Sequence, residues 1–331
     1  MCTSGTTGKP KGAMLSEDNI ITNISDIAAY FNIDNSDTIL ISRALYHCAV
    51  LTGEFLTSLV KGTKIRFYSE SFNLSKMLEL IRDFEITAFC GTPTLLGMMS
   101  GFKRKTSKDT LKHICISGEC MDREMGLRIA TTFPDYEIYH IYGLTEACPR
   151  VSYLPPRLFS QYPDCVGIPL KSVSVKIIGH DGEPTVTGQE GILWIKGGNV
   201  MLGYYQEPEK TASVLQDGWL CTGDVAVMND AGLLKIKGRN DHLIIKSGMN
   251  IYPTEVEAAV KMDSRVKEVL VYGYESRVGT QIGMKIAGDF SSVDEVKQLC
   301  LECLPTFQVP TLIEIVTGLP KNGSGKIIRR R

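Results

Sequence analysis

Met1-Cys2-Thr3-Ser4-Gly5-Thr6-Thr7-Gly8-Lys9-Pro10-Lys11-Gly12 reads as a loop built to hold an anion. Gly5, Gly8 and Gly12 let the backbone turn so that successive N–H groups converge on one point. The hydroxyls of Thr3, Ser4, Thr6 and Thr7 add donors, and Lys9 and Lys11 add charge. Such a loop suits a polyphosphate. A flexible linker is the bland alternative, since Gly, Ser and Thr also make linkers. Two interspersed lysines and an expected direct passage into helix weigh against it. The stretch also fails the GxxxxGK[ST] pattern of common nucleoside triphosphatases, because Thr3 stands at the first Gly and Pro10 follows Lys9. Gly325-Lys326 fails the same test, with Pro320 and Ile327 at the outer positions. This is a phosphate loop of another kind.

Beyond the loop, Ser16 is placed to cap a helix whose Ile20, Ile24, Ile27 and Phe31 fall at helical spacing. Thr38-Ile39-Leu40-Ile41 reads as a buried strand. Strand and helix then alternate through 64–68, 75–84, 86–90, 111–117, 122–133 and 138–142, the βαβ pattern of a parallel sheet. Ligands of such sheets collect at the carboxyl ends of the strands, where Gly91-Thr92-Pro93, Ser117-Gly118-Glu119 and 142–146 all fall. From about residue 165 the pattern becomes one of hairpins, with alternation in 173–178 and 191–196. After Arg239 come short strands and helices of a compact α+β unit. The expected fold is therefore α/β: a parallel sheet, a hairpin-rich β portion, and a small C-terminal α+β domain. The boundaries fall at 1–238, 239–241 and 242–331.

The 331 residues carry 36 Lys and Arg against 37 Asp and Glu, so no bulk pull toward nucleic acid is expected. No apolar run approaches the roughly 20 residues of a membrane span. Ten scattered cysteines suit reduced thiols and a cytoplasmic location. Cys300-x-x-Cys303 lacks a partner pair and reads as two core residues on one helix face.

Further segments stand in order along the chain: Tyr142-Gly143-Leu144-Thr145-Glu146, Gly218-Trp219-Leu220-Cys221-Thr222-Gly223-Asp224, and Lys237-Gly238-Arg239-Asn240-Asp241. They are followed by Gly248-Met249-Asn250-Ile251-Tyr252-Pro253-Thr254-Glu255-Val256-Glu257 and Pro320-Lys321-Asn322-Gly323-Ser324-Gly325-Lys326. Together with the opening loop they resemble the adenylate-forming superfamily of acyl- and aryl-CoA ligases, peptide-synthetase adenylation domains and luciferase. The resemblance covers the whole chain. It implies that a carboxylate and ATP give an acyl-adenylate and pyrophosphate, with Mg²⁺, and that a thiol then captures the acyl group.

The same resemblance implies roles. Thr3, Ser4, Gly5, Thr6, Thr7, Gly8, Lys9 and Lys11 would hold the ATP phosphates. Lys326 would bridge the carboxylate and the α-phosphate. Thr145 and Glu146 would address the α-phosphate and Mg²⁺, and one carboxylate suffices for an ion that keeps waters and phosphates. Gly118, Glu119, Tyr142 and Gly143 would frame adenine. Asp224 and Arg239 would hold the ribose. Asp241 would be the hinge that alternates Lys326 with the Gly248 segment, where Met249 replaces a more frequent Gly or Glu.

Tyr46-His47 aligns with the aromatic–histidine segment of acyl- and aryl-CoA ligases, so His47 joins the catalytic candidates. No Asp lies in 46–53 to hold an α-ammonium, so an acid lacking an α-amino group is expected, with CoA as acceptor. Leu95, Leu96, Met98 and Met99 are pocket candidates that read equally as core. The close alternative acceptor is a carrier protein. A non-catalytic nucleotide- or partner-binding fragment is the alternative from another class, because family members carry a large region before this loop. A second copy of the chain is the expected partner for any apolar face such a region would cover.

Overall fold

The computed structural model describes residues 1–3, 11–70, 72–102, 110–277, 279–321 and 327–329. Two compact units divide them: Met1–Thr222 with Ala226–Ile236, and Gly223–Val225 with Lys237–Arg331.

The first unit is organised by a seven-stranded sheet among the described residues. Its order is Lys64–Phe67, Thr38–Ile41, Ala88–Gly91, His113–Ile116, Glu137–Gly143, Arg150–Leu154, Ile168–Pro169. The first five strands are parallel; Arg150–Leu154 returns antiparallel to them, and Ile168–Pro169 pairs antiparallel to it in turn. Helices from both faces cover it, so its strands are apolar on both sides. Successive residues point to opposite faces. Ile39, Ala88, Cys90, Cys115, Tyr139 and Ile141 pack with Ile27 and Phe31 on one face. On the other, Leu40, Phe89, Ile114, Ile116 and Ile138 pack with Met77, Ile81, Ile129 and Phe133. Each fully buried Ile or Phe contributes about 1.5–3 kcal/mol relative to exposure.

The caps behave as their sequences dictate. Ser16 and Asn19 form a reciprocal capping box on the helix Glu17–Tyr30, and Asp122 caps Arg123–Thr132. One expectation fails here. The opening loop does not run directly into helix; the strand Lys11–Met14 intervenes, pairing with Cys2–Thr3 on one side and Gly203–Tyr204 on the other. Two ladders satisfy its backbone and Ala13 is buried, so the helix waits for the cap at Ser16. The hairpin-rich portion follows in the order Val173–Ile178, Glu190–Gly197, Trp219–Met228, Leu215–Gln216, with Leu234–Arg239 also paired to Trp219–Met228.

The second unit holds the hairpin Ile244–Lys246 with Met249–Ile251 and a three-stranded sheet of Val266–Ser276, Gly279–Gly288 and Leu312–Ile315. Helices Pro253–Val260 and Val293–Cys303 supply Val256, Val260, Val296 and Leu299 to its core. Cys300 is in that core, but Cys303 is exposed. A spacing of three turns the second thiol about 60° from the first, enough at a helix C-terminus to leave the buried stripe. No helix among the described residues is long and apolar enough to cross a membrane.

Candidate active site

The carboxyl ends of the parallel strands carry the first group of site residues. Glu137–Gly143 ends in a register shift between Tyr142 and Gly143. A Cβ on Gly143 would lie 2.0 Å from Pro149 O, so only glycine allows the return strand to approach. The chain then makes a 3₁₀ turn, Thr145–Ala147, and Met201 N donates to Glu146 O at 2.9 Å. Tyr204 Oη donates to Glu146 Oε1 at 2.8 Å, while Lys11 Nζ stands 5.1 Å from the centroid of the Tyr204 ring. Lys11, Tyr204 and Glu146 are thus brought together from three distant parts of the sequence. Thr3 pairs with Lys11 across the ladder. Ser4, Gly5, Thr6, Thr7, Gly8 and Lys9 lie outside the described residues. Tyr142 is half-buried against the hairpin-side core.

A neighbouring strand exit carries Gly118 and Glu119. Gly118 has φ +97°, a conformation that favours glycine, and Ser117 Oγ beside it is buried with no partner among the described residues. Glu119 accepts from Thr94 Oγ1 at 2.6 Å. A cavity of about 280 Å³ opens beside Glu119, lined also by Arg43, Thr94, Leu95 and Met98. Leu96 and Met99 instead face the core, so the four apolar candidates divide by helical period. A wider depression of about 810 Å³ lies at the amino ends of the strands, around Thr38, Lys64 and Thr87, away from every candidate residue. His47 is exposed at the start of the short helix Cys48–Val50, its ring 6.0 Å from that of Tyr46.

In the second unit Arg239 joins two carboxylates. Its Nη1 is 3.5 Å from Asp224 Oδ1 and its Nε donates to Asp241 Oδ1 at 3.3 Å. Burial alone would raise the Asp241 carboxyl, but the Arg239 charge and hydrogen bond outweigh it and hold the group below its ordinary value. A Cβ on Gly223 would lie 2.9 Å from Arg239 Nη2, so this glycine, at φ +71°, makes room for the guanidinium. Gly248, with Ser247, has positive φ in the tight hairpin turn before exposed Met249. Lys326 lies outside the described residues. The chain on either side of 322–326 is anchored: Lys321 pairs with Glu268 and Arg329 with Glu257, and Lys321 bridges to Ile327. Among the described residues no three or more His, Cys, Asp or Glu gather as a metal cluster.

The model of the AMP-binding enzyme family matches residues 1–205. The chain belongs to that family. Its adenylate-forming relatives include the long-chain-fatty-acid–CoA ligase of Haemophilus influenzae, 33% identical over 99% of this chain and 60% of that protein. A feruloyl-CoA synthase of an Amycolatopsis species is 31% identical over 99% of this chain and 68% of its own length. Among solved AMP-binding structures, the o-succinylbenzoate CoA synthetase of Bacillus subtilis with its acyl-adenylate superposes at TM-score 0.90 with 28% identity, over 99% of this chain and 67% of that one. The same enzyme with ATP and magnesium gives 0.89, over 99% of this chain and 68% of that one. The chain spans about 60% of the length of the fatty-acid ligases it matches.

Tyr204, Arg150 and the Arg43–Glu54 pair are site neighbours that sequence reasoning missed. Tyr204 had one usable signal, a Gly-Tyr step of strand type; its partner strand lies near the other end of the unit in sequence.

Proposed function

We propose that this chain carries the machinery of an ATP-dependent acid–CoA ligase. A substrate carboxylate attacks the α-phosphorus of ATP and pyrophosphate leaves. The CoA thiol then attacks the acyl carbonyl and AMP leaves. The reading is supported above all by the Lys11–Tyr204–Glu146 connection at the carboxyl end of a parallel sheet, in a chain whose relatives are named as acid–CoA ligases.

The chemical difficulty is that one anion must approach another, so fixed donors have to wait where charge develops. Lys11 and the loop residues Thr3 to Lys9 bind the phosphates. Thr145 donates its hydroxyl to the α-phosphate. Glu146, half-buried and oriented by Tyr204, is a hard oxygen donor of the kind Mg²⁺ takes alongside waters and phosphates. When bound, that ion neutralises phosphate charge. Tyr142, Gly143, Gly118 and Glu119 frame the base. Asp224 accepts from the ribose hydroxyls and Arg239 supports it. Lys326 donates to the carboxylate and the α-phosphate together. Asp241 serves as the hinge, with Gly248 and Met249 acting in the thiol step. His47 borders the acid, a carboxylic acid without an α-amino group.

Incubation of the chain with ATP, Mg²⁺, CoA and a panel of aliphatic and aryl acids tests this. Mass spectrometry is expected to find acyl-CoA and AMP in equal amounts, both acid-dependent. A longer polypeptide containing this chain is assayed beside it. Absence of acid-dependent AMP from both would overturn the proposal.

A further inference from the structure

Arg150 is 2% exposed, yet its head group is unanswered. Among the described residues its guanidinium makes no ion pair or hydrogen bond, and Nε is buried without a partner. The backbone, in contrast, is held from two sides. Its N donates to Asn23 Oδ1 at 3.2 Å, and its O accepts from Asn23 Nδ2 at 2.9 Å and Asn199 Nδ2 at 2.8 Å. The backbone is therefore fixed while the buried side chain has no counter-ion among the described residues, an arrangement that folding alone disfavours.

The surroundings do not supply the missing charge. Buried Glu54 is engaged by Arg43, whose Nη2 lies 2.5 Å from Oε1. Its other oxygen, Oε2, is buried without a partner among the described residues, and no ion pair joins it to Arg150. Tyr30 is kept protonated by burial, and Cys90 by a hydrogen bond with the Cys115 side chain and by burial. Cys48 moves the other way, its thiol drawn down chiefly by a hydrogen bond with the Cys148 side chain and only in lesser part by Arg150.

Position gives the excess charge a meaning. Arg150 follows Glu146 by four residues. A Cβ on Gly53 would lie 2.9 Å from Arg150 Nη2, so that glycine leaves space beside the guanidinium. Gly53 belongs to the wide π-type turn Leu51–Leu56, which continues from the helix that His47 begins. Arg150 therefore follows the segment that carries Glu146 and stands against the turn that continues from His47, both of them candidate site residues.

We propose that Arg150 is a specificity-determining residue that receives a second carboxylate on the acid substrate, remote from the reacting one. The proposal rests on the ligase reading above. A buried donor left unpaired by the wrong substrate discriminates far more strongly than an apolar wall does.

The test uses the full chain and matched acids, hexanoate against adipate and benzoate against isophthalate, in acid-dependent exchange of labelled pyrophosphate into ATP. Wild type is expected to favour the diacid in kcat/KM by at least about tenfold. Arg150→Met is expected to bring that ratio to about one while retaining monoacid exchange, and Arg150→Lys to keep part of the preference. Equal or reversed preference in wild type, or an unchanged ratio in Arg150→Met, overturns the proposal and leaves the ligase reading standing. Calorimetry with adipate is read in parallel. Binding lost in Arg150→Met, in a chain that exchanges with no acid, supports the Arg150 site and defeats the ligase reading. Neither binding nor exchange defeats both. If Arg150→Met does not fold, Gly53→Ala crowds Nη2 instead and is expected to lower the diacid ratio by at least about fivefold; an unchanged ratio there overturns the proposal.

Discussion

Tyr204 Oη donates to Glu146 Oε1 at 2.8 Å, from a strand that pairs with Lys11–Met14. The hydrogen bond ties the segment behind the opening loop to the end of the central parallel sheet. Lys11 over the same ring places a cation beside the carboxylate's support. A phosphate and its metal need such a constellation of opposite charges.

Tyr204→Phe keeps the ring and removes the hydrogen bond. The expected loss of stability is about 1 kcal/mol. The larger effect is expected in the Mg²⁺ dependence of acid-driven exchange, whose half-saturating concentration rises by roughly fivefold to tenfold once Glu146 loses its orienting donor. A Mg²⁺ titration of both proteins decides it; an unchanged midpoint counts against Glu146 as the metal-bearing carboxylate.

Gly143→Ala forces a Cβ to within 2.0 Å of Pro149 O. Backbone on both sides leaves no cheap relaxation, so a loss of about 3 kcal/mol or more is expected. Urea unfolding reads this as a fall in midpoint, and a midpoint shift near zero would mean that the return strand moves freely.

His140 gives a pH signature. It is 2% exposed with Nδ1 3.0 Å from Pro163 O, and burial lowers its pKa from 6.5 to about 4. The unfolded chain takes up a proton near pH 6.5 that the folded chain refuses until about pH 4. Stability is therefore present above pH 6.5 and lost as pH falls toward 4. The total is about 3 kcal/mol at one proton's slope. His140→Gln is expected to flatten this window in urea titrations at stepped pH. An equally steep loss in the variant would assign the window to other groups.

Asp224→Asn weakens the acceptor proposed for the ribose hydroxyls. The KM for ATP is expected to rise by about tenfold. Wild type should discriminate against 2′-deoxy- and 3′-deoxy-ATP, and the variant should lose most of the discrimination against one of them. Equal discrimination in both proteins would return Asp224 to a structural role beside Arg239.

Much of the fold is legible in short stretches. Ile39 to Ile41 and Ala88 to Cys90 are uninterrupted apolar runs because both sheet faces are covered, and Ser16 and Asp122 announce their helices through local side-chain acceptors. The strand Lys11–Met14 is different: nothing in Lys-Gly-Ala-Met favours a strand, and the pairing comes from Gly203–Tyr204, far along the chain. Thr145 and Glu146 stand out in the sequence through their motif neighbours, and their roles belong to the proposal above. Tyr204 and Arg150 are not, because what distinguishes them is a hydrogen bond to a remote carboxylate in one case and the lack of a counter-ion in the other. Neither leaves a periodic trace. Cys303 departs from its expected burial for a simpler reason, since helical spacing gives a face but not where the helix end leaves it.

The central claim is adenylation with Lys326 as the bridging donor, and acid-dependent exchange of labelled pyrophosphate into ATP tests it most directly. Wild type is expected to exchange with at least one acid of the panel, and Lys326→Ala to fall by at least about a hundredfold with its unfolding midpoint unchanged. Exchange in Lys326→Ala at the wild-type rate would contradict the account.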